Sequence, residues 1–178
     1  MMRAYKSTIV RIMSTLILAL GAVEARSAPP GAADVNRGVR LARMSEAAQA
    51  LAAFERACRR NPGLPEAHLG RGLLLAQAAS HAEAQAAFRH ALVLDPEMPE
   101  ALEGMALSLL QENHNREAVA VYARAIRGGA ASADTHFNHA IALARLGERE
   151  RAAQAFREAI RLRPGMTQGT ALLKEVER

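Results

Sequence analysis

Apolar residues recur at three- and four-residue spacing along most of the chain, and short polar segments interrupt them. In one stretch this spacing joins Leu69, Leu73 and Ala76, and in the next it joins Ala84, Ala87, Phe88, Ala91 and Leu92. Such spacing gathers apolar side chains on one face of an α-helix. The alternating Val-, Ile- and Thr-rich runs that are typical of strands are missing. The pattern therefore predicts an all-α fold.

The hydrophobic pattern repeats every 34 residues. Pro62 and Pro96 lie 34 residues apart, Pro164 follows after twice that distance, and Ala130 takes the position in between. A fixed period of about 20–50 residues is the signature of a repeat architecture. Four frames follow from this period, over residues 31–64, 65–98, 99–132 and 133–166.

Several positions hold one kind of residue in all four frames, which tests the period independently of the prolines. The aromatic column takes four of the six aromatic residues in the chain: Phe54, Phe88, Tyr122 and Phe156. A leucine column holds Leu41, Leu75, Leu109 and Leu143, and a small-residue column holds Gly38, Gly72, Ala106 and Ala140. We interpret these columns as packing sites, where a small residue lets two helices approach and the ring fills the remaining volume.

These columns resemble the tetratricopeptide repeat, in four copies that cover residues 31–166. The resemblance implies a right-handed superhelical solenoid of helix-turn-helix repeats, and residues 167–178 are expected to add a polar capping helix. The chain departs from the family where a large aromatic residue usually stands early in the first helix. At that position it has Asp34, His68, Leu102 and His136. A looser or more polar groove wall is the expected result.

The N-terminal segment has the features of a secretory signal peptide. Arg3, Lys6 and Arg11 precede an apolar run over residues 12–23, and small residues such as Ala25 follow. A run of about 12 residues is shorter than the roughly 20 that span a bilayer. We expect residues 1–25 to be cleaved, residues 26–30 to form a leader, and the protein to be periplasmic or secreted. The alternatives are an uncleaved anchor in the inner membrane and a buried first helix.

Composition and charge narrow the classes of function. The length of 178 residues suits one domain, and hydrophobic residues reach 50% while aromatic residues make up only 3%, so Ala and Leu must build the core. Removal of residues 1–25 takes away three basic residues and one acidic residue, which lowers the formal net charge from +5 to +3. The remaining arginines alternate with glutamates, as on a solvated helix face. We therefore expect no binding of nucleic acid.

Motifs that would carry chemistry are absent from the sequence. It contains no G-x-S-x-G, no Walker-type glycine loop and no H-E-x-x-H, so we expect neither catalysis nor a cofactor. His136 and His139 lie three residues apart and could approach a metal, but no third ligand is placed beside them. Packing explains both. Cys58 shares a column with Leu92, Ile126 and Ile160, which favours a small core residue over a reactive thiol.

The surface of the first helices remains as the candidate site, because the resemblance implies that these helices line a concave groove. The predicted partner-binding residues are Asn36, Glu66, Leu69, Leu73, Glu100, Glu103, Leu107, Asp134, Phe137, Asn138, Ile141 and Arg145. The carboxylates among them lie toward helix starts and the arginine lies near a helix end. Matching to the helix macrodipole explains this distribution without a function. The functional explanation of the same distribution is a polarised groove that orients a bound peptide.

The sequence thus predicts a non-catalytic interaction module or adaptor of a bacterial-type envelope, which binds a partner peptide or protein in the groove. The alternative is a structural protein in which another copy fills the groove, so that a homo-oligomer forms. In both interpretations, contact with a membrane is confined to the N-terminal segment.

Overall fold

The computed structural model of the protein describes residues 29–178, so the predicted signal peptide and the start of the leader lie outside the described part. The described residues form nine α-helices and no strand: α1 (Ala32–Arg43), α2 (Ala47–Arg60), α3 (Pro65–Gln77), α4 (His81–Leu94), α5 (Pro99–Gln111), α6 (Asn115–Arg127), α7 (Ala133–Arg145), α8 (Arg149–Leu162) and α9 (Thr167–Val176). The predicted all-α class is confirmed.

Each 34-residue frame holds two helices. The first residues of the second, third and fourth frames, Pro65, Pro99 and Ala133, are also the first residues of α3, α5 and α7. Proline is well tolerated at this position because the first N–H groups of a helix have no intrahelical acceptor in any case. Helix α8 is followed by the predicted C-terminal helix, α9, which packs against it.

The turn between the two helices of a frame has the same backbone conformation four times. Its central residue is left-handed in every frame: Ser45 (φ 62°), Ala79 (φ 62°), Asn113 (φ 62°) and Gly147 (φ 77°). The residue after it donates its N–H to the carbonyl of the leucine column, as in Ser80 to Leu75 at 2.9 Å and Glu148 to Leu143 at 3.0 Å. This bond closes a Schellman-type helix end. The recurring leucine thus also marks the carbonyl that ends each first helix.

The chain divides into two compact units, the first ending at Gly104 and the second beginning at Met105, so the boundary falls within α5. In the first unit, α1 packs against α2, α2 against α3 and α3 against α4. In the second, α6 packs against α7, α7 against α8 and α8 against α9. Packing between neighbours along the chain is the rule in repeat proteins, and it gives each unit its own core.

The aromatic column forms the centre of these cores. The four rings are 0–1% exposed, and the alanines at positions 50, 57, 84, 91, 118, 125, 152 and 159 are all 0% exposed. The interpretation of the aromatic column as a packing site is confirmed, and the eight recurring alanines are buried beside it. Since alanine presents only a methyl group, the helix backbones lie close together and the rings occupy the larger spaces between them.

In the first unit, each ring lies between two glycines that belong to successive first helices. A Cβ atom built at Gly72 would come within 2.7 Å of the Phe88 ring, and one at Gly104 within 2.6 Å. Phe54 is held in the same way, with the corresponding distances 3.0 Å from Gly38 and 2.2 Å from Gly70. These rings therefore pack against the backbone of two successive first helices.

Within the described residues, no helix is long and apolar enough to cross a membrane.

Candidate partner-binding surface

Four of the twelve predicted partner-binding residues have partly or fully exposed side chains. They are Asn36, Glu66 and Glu100, which are half-buried, and Arg145, which is exposed. Asn36 lies in α1, whereas Glu66 and Glu100 are the second residues of α3 and α5. The first three belong to the first unit, and we call them the first-helix surface.

The other eight predicted residues are buried in this structure. Their exposed fractions are 7% or less: Leu69, Leu73, Glu103, Leu107, Asp134, Phe137, Asn138 and Ile141. The apolar anchors that the sequence predicts for a partner are therefore not open to solvent in this conformation. A binding role for them stays a prediction and would require the groove to open.

The carboxylates of the first-helix surface share one setting. Glu66 and Glu100 each follow a proline in the first turn of a helix, where the unpaired N–H groups and the macrodipole favour negative charge. In Glu66, the Oε2 atom is buried and has no hydrogen-bond partner. Because that oxygen is closed to solvent, a contact of Glu66 with a partner in this conformation would use the other carboxylate oxygen.

The corresponding carboxylate of the second unit has a structural role instead. Asp134 accepts two hydrogen bonds from Arg163, from Nη1 to Oδ1 and from Nη2 to Oδ2, each 2.9 Å long. Donation of hydrogen bonds to this carboxylate is the main reason why the pKa of the Arg163 guanidinium is raised. Because Asp134 is only 5% exposed, the pair fixes the start of α7 to the residue that follows α8.

Arg145 also has a role that the sequence did not indicate. Its Nη1 atom donates to the carbonyl of Leu110 at 2.8 Å and to Oδ1 of Asn113 at 3.2 Å. The arginine thus caps the C-terminal end of α5, whose last carbonyls lack intrahelical partners. Its guanidinium is engaged in the fold, although the side chain is exposed.

Cys58 belongs to a small polar cluster in the first unit. Nε2 of His68 lies 2.9 Å from the carbonyl oxygen of Pro62, and since a carbonyl only accepts, Nε2 carries the proton. In the neutral ring Nδ1 is then an acceptor, and the Cys58 thiol donates to it at 3.7 Å. Burial raises the pKa of this thiol, which keeps it protonated. This setting is the opposite of the one that activates a cysteine nucleophile.

The cluster takes the place of the usual large aromatic residue at the start of the first helix. His68 is 8% exposed, and its ring stacks on that of His90 with centroids 5.3 Å apart. In the fourth frame, the same position is His136, which lines an open crevice together with His139. This column is therefore polar at both positions, and its place in a groove wall stays a prediction.

The described residues contain no group of three or more His, Cys, Asp or Glu side chains placed to hold a metal ion.

Comparison with known proteins places these features in a family. The sequence profile of the tetratricopeptide repeat family matches residues 35–99 and 103–167. Among solved structures, MamA from Desulfovibrio magneticus RS-1, from its residue 41 onward, is 20% identical, with a TM-score of 0.77 over 82% of each chain. A thermophilic TPR protein of Thermus thermophilus, TTC0263, is also 20% identical, with a TM-score of 0.65 over 82% of this chain and 80% of that one. No curated protein matches the chain.

Proposed function

Because the chain belongs to the tetratricopeptide repeat family, we propose that it is a non-catalytic module, exported into a bacterial-type envelope, which binds a protein partner through its first helices. Proteins of this fold serve as interaction or assembly scaffolds, and the recurring positions of this chain are occupied by packing residues. The observation that carries the proposal is the pair of half-buried carboxylates, Glu66 and Glu100, which repeat at the same position of two successive first helices.

The chemistry of this surface favours a partner segment that carries Lys or Arg. Two carboxylates in successive frames present negative charge along the first-helix surface, and Asn36 adds a neutral donor and acceptor. Exposed ion pairs contribute only about 0–1 kcal/mol each. The carboxylates would therefore set orientation and association rate, while apolar contacts would supply most of the affinity.

Charge substitution tests the surface once a partner has been captured from the envelope fraction. We expect the double variant Glu66→Gln/Glu100→Gln to associate more slowly at low salt, with a smaller difference at high salt because screening removes the attraction. Glu83→Gln/Glu97→Gln is the matched control, since it removes two exposed carboxylates of the same unit outside the first helices. Equal slowing in both variants would mean that only net charge matters, and it would refute the first-helix surface as the binding site.

Export is tested separately by the intact mass of the protein isolated from its native cells. The proposal requires that residues 1–25 are missing, because the apolar run is too short to remain as a spanning helix. A mass that includes Met1 would contradict cleavage. Light scattering on the mature chain then distinguishes a monomer that awaits a partner from a homo-oligomer in which another copy occupies the surface.

A further inference from the structure

The second unit contains an open crevice of about 550 Å³ between the side chains of α6, α7 and α8. Pockets that bind ligands or side chains of a partner commonly measure about 300–1,000 Å³. The lining residues are Ile126, His136, His139, Leu143, Arg151, Gln154, Ala155, Arg157, Glu158 and Arg161. The function proposed above does not use any of them.

The crevice lies on the side of α7 opposite to the predicted groove. His136, His139 and Leu143 follow one another at spacings of three and four residues, which puts them on one face of the helix. Phe137 and Ile141 lie about half a helical turn away from that face. A partner in the crevice would therefore leave the groove side of α7 untouched.

The sequence explains why space is left here. The fourth frame has His136 where the family usually has a large aromatic residue, so a smaller ring has to fill that volume. In the wall, Nε2 of His139 is buried and has no hydrogen-bond partner. Burial lowers the pKa of His139 to about 4, and burial is also the main cause of the lowered pKa of His136. Both rings are therefore neutral at neutral pH.

Positive charge in the crevice comes from arginines. Among the lining residues, Arg151, Arg157 and Arg161 outnumber the one carboxylate, Glu158. Glu158 binds Arg161 through Nε and Nη2, at 2.9 and 2.6 Å. The other two arginines pair with glutamates that do not line the crevice, Arg151 with Glu148 and Arg157 with Glu177.

These ion pairs do not use all the N–H donors of the three arginines. A guanidinium has five N–H donors, and one carboxylate uses at most two of them. The side chains of the three arginines are 59–67% exposed, and ion pairs in such positions contribute little to stability. A second carboxylate can therefore join or replace the glutamates at little cost.

We propose that the crevice binds an acidic segment of a partner protein, with successive Glu or Asp carboxylates against Arg151, Arg157 and Arg161 and an aliphatic side chain against Ile126. The mixture of guanidinium groups and aliphatic carbon matches such a segment. No Phe, Tyr or Trp lines the crevice, so the rings on which single-stranded nucleic acid usually stacks are missing from it. The first-helix surface attracts basic segments, so the two surfaces select different partners.

A labelled peptide tests the proposal by fluorescence anisotropy at low salt. The probe is a short peptide of Glu and Ser around one Leu, and its counterpart carries Gln in place of Glu. We expect the Glu peptide to bind at least about tenfold more tightly than the Gln peptide. The variant Arg151→Gln/Arg161→Gln should lose about tenfold in affinity. The control Arg116→Gln/Arg127→Gln removes the same charge from exposed positions outside the crevice and should bind unchanged.

NMR of the histidine ring nitrogens locates the bound peptide. Signals of His136 and His139 should shift on binding, whereas those of His68 and His90 in the first unit should not. Circular dichroism confirms that the variants are folded. The proposal is overturned if the Glu peptide does not bind, if both arginine variants bind it equally, or if oligo-dT binds more tightly than the Glu peptide. It is overturned as well if the shifts appear only in the first unit.

Discussion

The two units build the same repeat from different contacts. In the first unit, Phe54 and Phe88 each pack against glycine positions of two successive first helices. In the second, the positions that correspond to Gly38, Gly72 and Gly70 are Ala106, Ala140 and Asn138. There the ring of Phe156 meets another ring edge-on, that of Phe137, with centroids 5.7 Å apart. A ring packed against backbone has no room to shift, whereas a ring packed against another side chain can shift with it.

Both units also bury polar groups, and in the second unit three of them lie in α7. Asp134, Thr135 and Asn138 are 2–5% exposed, and Tyr122 faces His139 with centroids 6.2 Å apart. Buried polar groups need hydrogen-bond partners, so they fix the geometry of their neighbours. Rings packed against backbone should respond most to changes of volume, and the buried polar positions of α7 should also respond to changes of charge.

Truncation of a ring should give the largest effect and the clearest difference between the units. Phe88→Ala should destabilise by about 3–5 kcal/mol, because backbone on both sides cannot collapse into the cavity. Phe156→Ala should cost less, since Phe137 can move toward the space. Urea unfolding measures both, and Leu94→Ala, at a side chain that is 42% exposed, is the control. Equal losses for the two rings would remove the distinction between the units.

Acid should weaken the second unit through His139. Its pKa is about 4 in the folded protein, against about 6.5 when unfolded, so the unfolded chain takes up the proton first as the pH falls. The stability that the neutral ring provides is complete above about pH 6.5 and declines toward about pH 4, by at most about 3 kcal/mol.

The variant His139→Met tests this pH dependence, because Met105 occupies the same position in the preceding frame. Unfolding free energies at about pH 7 and about pH 4.5 should differ less in this variant than in the natural protein. His114→Gln, at an exposed position, should keep the original difference. If His139→Met also keeps the original difference between the two unfolding free energies, another group causes the pH dependence.

Added volume should be penalised where the first unit has no room. A Cβ atom at Gly70 would lie 2.2 Å from the Phe54 ring, so Gly70→Ala should destabilise by about 1–3 kcal/mol. Gly165→Ala adds the same methyl group where nothing lies within 4 Å and should be neutral or slightly stabilising. Thermal unfolding of the two variants compares them, and coincident midpoints would show that the ring can move aside.

Loss of an ion pair should give the smallest effect. Here the second unit should lose more stability than the first, the reverse of the result expected for the rings. Arg163→Gln should cost about 1 kcal/mol, because it removes a two-point contact to a carboxylate that is 5% exposed. Arg60→Gln in the first unit should cost a few tenths at most, since Arg60 is 66% exposed and Asp34 also pairs with Arg56. Urea unfolding at low salt measures the stability of both variants. A larger loss of stability for Arg60→Gln than for Arg163→Gln would contradict the structural role of Arg163.

Much of the fold could be predicted because it is local and recurs four times. The period, the buried columns and the turn residues Asn113 and Gly147 follow from the sequence. The role of Gly72 against the Phe88 ring was visible too, because both fall in one frame. Gly104 was not, since it reaches the same ring from the next frame, and spacing within one frame does not show such a contact.

The candidate site was harder to predict because accessibility is not local. In α3 nearly every residue from Ala67 to Ala76 is buried, so the helix has no polar face from which exposure could be read. The contacts of Arg145 with Leu110 and of Arg163 with Asp134 span 35 and 29 residues. No sequence motif marks such pairs, whereas the acidic first turns of α3 and α5 are marked by the prolines before them.

The left-handed turns imply that resistance to local opening varies along the chain. Gly147 adopts this conformation without strain and Asn113 tolerates it, whereas Ser45 and Ala79 hold it at a cost of about 1 kcal/mol each. The ends of α1 and α3 should therefore fray more often than that of α7, and their amides should exchange with deuterium sooner. A protease that samples such openings would cut first near Ser45 or Ala79, so degradation of this protein would begin in its first unit.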